Sequence, residues 1–196
     1  MLLALDTSTA YISVAVYDDS TDTVLASQEQ VGPMQHGELL MPTIVACLSE
    51  AGIVRQDLTA VVVGVGPGPY TGLRVGVVTA RTLGLALEIP VYGVCSLDAI
   101  GAFEKGKVVV STDARRKELF WASYDDGVRV DGPFVTRPAE LPDGAMVVGL
   151  PGIPVYPSAV SLARVVAGEL AEIVDAEPNY LRRPDAVTPG PPKKVS

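Results

Sequence analysis

Short hydrophobic segments alternate with polar turns at the start of the chain. Leu2 to Leu5 is an apolar run, and Ile12, Val14 and Val16 recur at every second position. This period of two is typical of a half-buried strand. A third strand is predicted from Thr23 to Gln28. The chain therefore opens with three strands joined by short turns.

Two longer apolar segments predict helices. Residues 36–51 have helical spacing and are followed by Gly52, and residues 71–88 end shortly before Pro90. Both segments are apolar over more than one face, whereas a helix that packs on a sheet needs only one apolar stripe. The pattern fits either a deep core or an intermolecular helical interface, and the sequence leaves both open.

Short apolar runs beside these helices predict buried strands. They lie at residues 61–63 and 91–94, and Ser96 is predicted to cap a short helix after the second of them. The order βββαβαβα that results is that of a mixed sheet with helices packed on it.

The second half of the chain repeats the pattern of the first. Asp6 matches Asp113, Ala15 matches Ala122 and Tyr17 matches Tyr124, all at an offset of 107 positions. Two unrelated hairpins would also look alike, so this alternative stays open. If the repeat is a duplication, the two hairpin turns face each other across a cleft, and their aspartates are placed to hold a metal–phosphate complex.

The remaining segments complete the predicted domain organisation. Strands are predicted at residues 107–112, 119–124, 128–136 and 146–148, and a helix at 158–173. We expect one domain over residues 1–104 and a second over 105–183. Residues 184–196 contain four prolines and are expected to be disordered or draped over the surface.

Composition excludes several classes of protein. The 196 residues include two cysteines and one histidine, which excludes a disulfide framework and a multi-histidine metal site. The start lacks the basic region of a secretory signal, and no apolar run has the ~20 residues that a membrane span requires. We therefore expect a cytoplasmic protein with no membrane association and no cofactor.

Charge is distributed unevenly along the chain. Residues 1–104 hold three basic and eleven acidic residues, whereas residues 105–196 hold twelve of each. The first half is therefore a poor partner for nucleic acid by itself. The basic cluster Arg115–Lys117 is predicted to be a solvated turn.

Small residues recur along the second predicted helix. Gly72, Gly76, Ala80 and Gly84 are spaced by four and lie on one face. Glycine in a helix interior costs about 1 kcal/mol relative to alanine, so close approach of another backbone is expected to compensate. We place that approach at an intermolecular interface, and we expect Gly76→Leu to give a folded monomer that fails to bind its partner. The glycine-rich loop before this helix, residues 64–69, matches neither of two phosphate-binding motifs, the Walker motif and GxGxxG.

Few residues are candidates for catalysis. His36 is expected at the surface, Cys47 within an apolar helix, and no GxSxG motif surrounds Ser96. Asp6 and Asp113 remain as candidate cleft carboxylates, or as ordinary turn residues.

Five segments in order along nearly the whole chain resemble one family. They are LALDTST at 3–9, QHGELLMP at 35–42, GPGPYTGLRVG at 66–76, DARRKELFWASY at 113–124 and PNYLR at 178–182. Together they resemble the TsaB (YeaZ) family, and the GPG-x-[YF]-TGLR-x-G segment is the most specific. The resemblance implies an α/β fold of the actin-like (ASKHA) type, duplicated as two small domains with mixed β-sheets and packed helices.

The resemblance also implies a function and partners. TsaB proteins are non-catalytic partners of the transferase TsaD and the ATPase TsaE, which together make threonylcarbamoyladenosine beside the tRNA anticodon. It further implies a homodimer when the protein is alone, and contact with tRNA only through the complex. The family's partner surface lies on the first two helices. Here these supply the predicted interface residues His36, Leu39, Leu40, Pro42, Thr43, Ile44, Gly72, Leu73, Arg74, Gly76, Val77, Ala80 and Arg81.

The chain departs from the wider superfamily in ways that bear on activity. Both hairpin turns lack the glycines of phosphate-binding turns, so Asp6 and Asp113 are at most vestigial phosphate-site residues. TsaD-type proteins bind a metal through two histidines, and this chain has one. We therefore expect no catalytic residue, no metal and no useful ATP hydrolysis by the chain alone. The alternative is a degenerate actin-like ATPase or a peptidase that acts on TsaD.

Overall fold

The computed structural model describes residues 1–32 and 34–182, and the predicted tail at 184–196 lies outside the described residues. Two mixed sheets and four helices make up this part of the chain. The strands are β1 Leu2–Asp6, β2 Tyr11–Asp18, β3 Thr23–Val31, β4 Ala60–Gly64, β5 Val91–Val94, β6 Lys107–Asp113, β7 Leu119–Asp125, β8 Val128–Thr136, β9 Met146–Val148 and β10 Ile173–Val174. The helices are α1 His36–Ala51, α2 Tyr70–Leu87, α3 Asp98–Gly101 and α4 Ala159–Ala167.

The strand order shows that the fold is duplicated. The first sheet has the order β10-β5-β4-β1-β2-β3, and the second has the order β8-β7-β6-β9. In each sheet, three antiparallel strands are followed by a fourth that pairs in parallel with the first of them. Asp6 pairs with Ser13, whereas Asp113 pairs with Leu119, so the second turn is one residue shorter. The repeat inferred from the sequence is confirmed, with this one-residue change in register.

The first sheet is covered on both faces. Successive residues of a strand point to opposite sides, and both sides of β1 are buried. Leu3 and Leu5 pack with α1 and α2. Leu2 and Ala4 pack with α4, whose contact residues include Leu162. Coverage of both faces explains why β1 and β4 read as continuous apolar runs rather than alternating ones.

The chain returns to the first sheet after completing the second. Helix α4 packs on the first sheet, and β10 pairs with β5 at its edge. The backbone N–H of Ala159 donates to the Ser13 hydroxyl at 2.9 Å. Residues 159–174 are therefore part of the first unit, although the predicted boundary assigned 105–183 to the second. The predicted helix at 158–173 is also shorter than expected, because it ends at Gly168.

A buried polar cluster joins the two sheets. The Tyr124 hydroxyl donates to Asp98 of α3 at 2.7 Å, and the Arg129 guanidinium lies 3.0 Å from the same carboxylate. Burial raises the pKa of Asp98, while the Tyr124 hydroxyl and Arg129 act in the opposite direction. Because Tyr124 lies on β7 and Arg129 on β8, this cluster fixes α3 against the second sheet.

Candidate functional site

The two hairpin turns line one cavity between the sheets. Thr9 and Ala10 contribute from the β1–β2 turn, and Asp113 and Arg115 from the end of β6 and its turn. Residues 149–156 supply most of the remaining wall of a cavity of about 410 Å³. The prediction that the two turns face a common cleft is confirmed.

Asp6 lies outside this cavity and is fully buried. Its carboxylate accepts hydrogen bonds from the backbone N–H and the hydroxyl of Ser8, at 2.8 and 2.7 Å, and from the Ser96 hydroxyl at 2.6 Å. The Ser96 oxygen in turn accepts the backbone N–H of Gly66 at 3.1 Å. Asp6 therefore ties together the ends of β1 and β5 and the loop before α2. The prediction that Ser96 caps a helix is wrong, since its hydroxyl serves this network and Leu97 precedes α3.

Burial raises the pKa of Asp6, and the hydrogen bonds from Ser96 and Ser8 only partly oppose this effect. Protonation of Asp6 therefore stabilises the fold fully below the ordinary carboxyl pKa of 3.8, and this contribution is lost as pH rises through the folded-state value. An asparagine at this position has the same shape and cannot ionise.

We expect the stability of Asp6→Asn relative to the wild type to increase between pH 4 and pH 8 because the wild type alone must bury an ionised carboxylate. Urea denaturation at several pH values measures this difference. Asp113→Asn is the matched control, because the Asp113 side chain is 70% exposed. The free energy of unfolding of Asp6→Asn minus that of the wild type should rise with pH. A difference that stays constant or falls as pH rises would contradict the expectation.

Asp113 has the opposite environment. Its carboxylate accepts the backbone N–H of Arg115 at 2.9 Å and lies 4.0 Å from the Arg115 guanidinium. The residues Arg115, Arg116 and Lys117 are exposed and have left-handed backbone conformations. The prediction of a solvated turn is confirmed.

The residues of the cleft do not fit a bound metal–phosphate complex. Asp113 lines the cavity, but Asp6 does not, so the prediction that the two carboxylates act together there is wrong. The rings of Tyr11 and Tyr156 stack with centroids 3.8 Å apart beside the opening. Within residues 1–32 and 34–182, no group of three or more His, Cys, Asp and Glu side chains is placed to hold a metal ion.

The glycine stripe of α2 packs inside the chain. A Cβ atom at Gly72 would lie 2.5 Å from the carbonyl oxygen of Thr7, and one at Gly76 would lie 2.3 Å from the Thr7 hydroxyl. The Thr7 hydroxyl donates to the carbonyl of Gly72 at 2.8 Å. A Cβ at Gly84 would lie 2.2 Å from the Cγ2 methyl of the Val91 side chain. Close approach is therefore real, but the approaching backbone is the turn after β1, and the assignment of this stripe to an intermolecular interface is wrong.

Burial divides the predicted interface residues into two groups. The buried group consists of His36, Leu40, Thr43, Ile44, Gly72, Leu73, Gly76, Val77 and Ala80. These side chains face the sheet or the turn after β1, so they support the surface and cannot form it. Leu39 is half-buried, and Pro42, Arg74 and Arg81 are exposed.

His36 is one of the corrected positions. The sequence predicted a surface role, but only 9% of the residue is exposed. Its Nε2–H donates to the carbonyl oxygen of Thr9 at 2.7 Å, which links the start of α1 to the β1–β2 turn. This histidine is a structural residue.

An apolar surface remains on the outer sides of α1 and α2, which contact each other. Met41 and Val45 are 46% and 60% exposed on α1, and Val78 and Leu85 are 59% and 83% exposed on α2. We call these four residues the helix-pair face. The sequence left open whether the apolar residues of these helices form a deep core or an intermolecular interface. The inner sides of both helices form the core, and their outer sides expose apolar residues.

The motif at 178–182 bridges the loop before α2 and the β6–β7 turn, which the sequence did not suggest. The backbone N–H of Asn179 donates to the carbonyl oxygen of Val65 at 2.8 Å. Arg182 donates to the carbonyl of Ala114 at 3.0 Å and pairs with Glu118. The segment therefore runs from the loop before α2 to the β6–β7 turn.

None of the helices in the described part of the chain is long and apolar enough to cross a bilayer.

Comparison with known proteins identifies a family model and a solved structure that match this chain. The family model described as TsaD, tRNA N6-adenosine threonylcarbamoyltransferase, matches residues 24–140. YeaZ from Pseudomonas aeruginosa superposes with a TM-score of 0.76 at 27% identity, over 92% of this chain and 99% of that one. This match and the repeated strand order confirm the predicted duplicated α/β fold with mixed sheets and packed helices.

Relatives in sequence agree with the structural match. An uncharacterized protein of Mycobacterium tuberculosis is 43% identical over 94% of this chain and 93% of its own length. The tRNA threonylcarbamoyladenosine biosynthesis proteins TsaB of Escherichia coli and Bacillus subtilis are 34% and 35% identical over 63% of this chain. These matches span 54% of each TsaB protein, about half of its length. The chain belongs to the TsaB family.

Proposed function

We propose that this chain is a non-catalytic subunit in the biosynthesis of threonylcarbamoyladenosine in tRNA, and that it acts by docking onto a TsaD-type transferase. The helix-pair face is the observation that carries the proposal. It places four exposed apolar side chains on two helices that contact each other, and exposed apolar surface of this kind is typical of a protein–protein interface. The names of the TsaB relatives supply the pathway.

The chemistry of the cleft supports a non-catalytic role. Asp113 is the single carboxylate that lines the cavity, and its described walls contain no histidine or cysteine. The Ser111 hydroxyl donates to the carbonyl of Gly149. A side-chain nucleophile needs a base beside it, but the Ser111 hydroxyl is turned to a backbone carbonyl and the Asp113 carboxylate accepts the backbone N–H of Arg115. This arrangement disfavours the peptidase alternative, and the lack of glycines in both hairpin turns disfavours the ATPase alternative.

The two cysteines are equally unsuited to nucleophilic catalysis. Both are buried, and burial raises the pKa of Cys95 to about 12 and raises that of Cys47 as well. The thiolate is the reactive form of cysteine, so neither side chain is activated.

The helix-pair face also suggests how the subunit exchanges partners. We expect a second copy of the chain to cover this face when no TsaD-type protein is present, and a TsaE homologue to join the complex that forms. The first half of the chain carries a large excess of acidic residues. We therefore expect tRNA to be bound by other subunits.

Reconstitution with purified components tests the proposal. The rate of threonylcarbamoyl transfer to tRNA is measured with the TsaD and TsaE homologues of the same organism, with and without this chain. We expect at least a tenfold lower rate, about 1.4 kcal/mol in activation free energy, when the chain is left out. We expect no transfer by the chain alone. Undiminished transfer in its absence, or transfer by the chain alone, would contradict the proposal.

A further inference from the structure

Two sequence motifs that lie more than 100 positions apart meet at the start of α2. The rings of Tyr70 and Tyr180 stack with centroids 4.5 Å apart and planes 28° from parallel. The Arg74 guanidinium lies over the Tyr70 ring, 4.0 Å from its centroid. The Arg74 Nε–H donates to the Tyr180 hydroxyl at 3.1 Å. We call Tyr70, Arg74 and Tyr180 the tyrosine–arginine cluster.

Contacts on both sides hold Tyr180 in this cluster. Asn179 is tied to Val65 through a backbone hydrogen bond, and Arg182 is tied to Ala114 and Glu118 of the second sheet's hairpin. The Tyr180 ring therefore sits between two fixed points. This explains why a short motif at 178–182 accompanies the motif at 66–76.

The Arg74 guanidinium is oriented by Tyr70 and Tyr180 but has no counter-ion among the described residues. Its Nε–H is satisfied by Tyr180, and no described acidic residue forms an ion pair with it. Arg81, about two turns further along α2, lies 3.8 Å from Glu177. Within residues 1–32 and 34–182, the two terminal nitrogens of Arg74 therefore have no acidic partner, although the chain carries a net charge of −8.

Arg74 also lies beside the proposed docking surface. Residues four apart on a helix are neighbours on the same side, so Arg74 adjoins Val78 of the helix-pair face. A guanidinium binds a carboxylate through two parallel hydrogen bonds, and lysine cannot reproduce this geometry. Arginine and tyrosine are also the residue types that most often dominate binding at protein interfaces.

We infer that the tyrosine–arginine cluster is a preorganised anchor for a carboxylate side chain on the TsaD-type partner, with Tyr180 as the positioning residue for Arg74. The inference rests on the proposed function, because it names a contact within that same docking surface. Holding the guanidinium in place before binding reduces the entropy that its immobilisation would otherwise cost.

Titration calorimetry with the TsaD homologue, at two salt concentrations, tests the inference. We expect Arg74→Ala to weaken binding about tenfold and to reduce its salt dependence, since a charge pair is lost. Arg74→Lys should recover only part of the affinity because the forked geometry is absent. Tyr180→Phe keeps the ring stack and removes the acceptor of Nε–H, so we expect a smaller loss, of about threefold. Arg137→Ala is the matched control and should change binding less than twofold, because this exposed arginine follows β8 of the second sheet, away from the helix-pair face.

The outcomes separate the inference from the proposed function. Failure of the wild type to bind the TsaD homologue would overturn both. Wild-type binding that Arg74→Ala weakens no more than Arg137→Ala would overturn the anchor and leave the docking surface intact. A loss in Arg74→Ala with unchanged salt dependence would also overturn it, because the contact would then not be an ion pair. Thermal melting of each variant identifies any loss that comes from unfolding.

Discussion

Gly72→Ala should destabilise the protein by about 3 kcal/mol, the upper end of the cost of overpacking a core. The added Cβ would lie 2.5 Å from the carbonyl oxygen of Thr7. That oxygen belongs to the backbone at the end of β1, so the contact cannot be relieved by rotating a side chain. The Thr7 hydroxyl also donates to the carbonyl of Gly72, so any shift of the helix breaks a buried hydrogen bond.

Gly37→Ala is the matched control for this change. Gly37 lies on α1, and a Cβ there would have no neighbouring atom within 4 Å. We expect this variant to be as stable as the wild type or more stable by up to about 1 kcal/mol, since alanine is the better helix former. Urea denaturation measures both variants. If Gly72→Ala and Gly37→Ala had equal stability, the packing of α2 against the β1 turn would be refuted.

The structure also reverses the expectation for Gly76→Leu. A Cβ at Gly76 would lie 2.3 Å from the Thr7 hydroxyl and 3.4 Å from Leu5. The variant should therefore lose stability, rather than give a folded monomer that merely fails to bind. A normal melting temperature for this variant would restore the interfacial interpretation of the stripe.

Val78→Glu should abolish docking while the chain remains folded. Val78 is 59% exposed in the free chain, and glutamate is a good helix former, so we expect the melting temperature to change by no more than about 2 °C. In the complex, the same carboxylate would be buried in place of an apolar side chain, and it would also compete for Arg74, which lies four residues earlier on the same side of α2; together these effects cost several kcal/mol. We therefore expect at least a hundredfold weaker binding to the TsaD homologue, by the usual factor of ten for each 1.4 kcal/mol.

Val130→Glu serves as the control for Val78→Glu. Val130 is 61% exposed and lies on β8 of the second sheet, away from the helix-pair face. Binding by this variant should stay within about twofold of the wild type, because isolated surface substitutions have small effects. Equal binding by Val78→Glu and the wild type would place the docking surface elsewhere.

Local patterns were sufficient to predict the order of the elements from β1 to α4 and the duplication of the fold. The period of two in β2, the apolar runs of β1 and β4, and the repeated Asp and Tyr positions each report on hydrogen bonding and burial within one strand or hairpin. Such signals need only neighbouring residues. The end of α1 was equally readable because Gly52 adopts the left-handed conformation that follows the helix, whereas the helix predicted at 158–173 covers only Ala159–Ala167.

Long-range contacts explain the predictions that failed. The stripe of small residues on α2 showed that a backbone approaches closely, but the sequence could not say whether that backbone was Thr7 or a second chain. The burial of Asp6 depends on Ser96, which is 90 positions away. The tyrosine–arginine cluster depends on Tyr180, which reaches Arg74 across 106 positions. Only the folded chain brings these groups together.

The central claim is that the chain contributes a docking surface and no chemistry. The most direct test compares the Val78→Glu and Asp113→Asn variants in the reconstituted transfer reaction, because Asp113 is the one carboxylate among the described residues that line the cleft. Our account predicts that Val78→Glu loses transfer together with binding, and that excess partner restores both. It predicts that Asp113→Asn keeps the rate within about twofold of the wild type. Two results together would contradict it. They are loss of transfer by Asp113→Asn with binding intact, and retention of transfer by Val78→Glu.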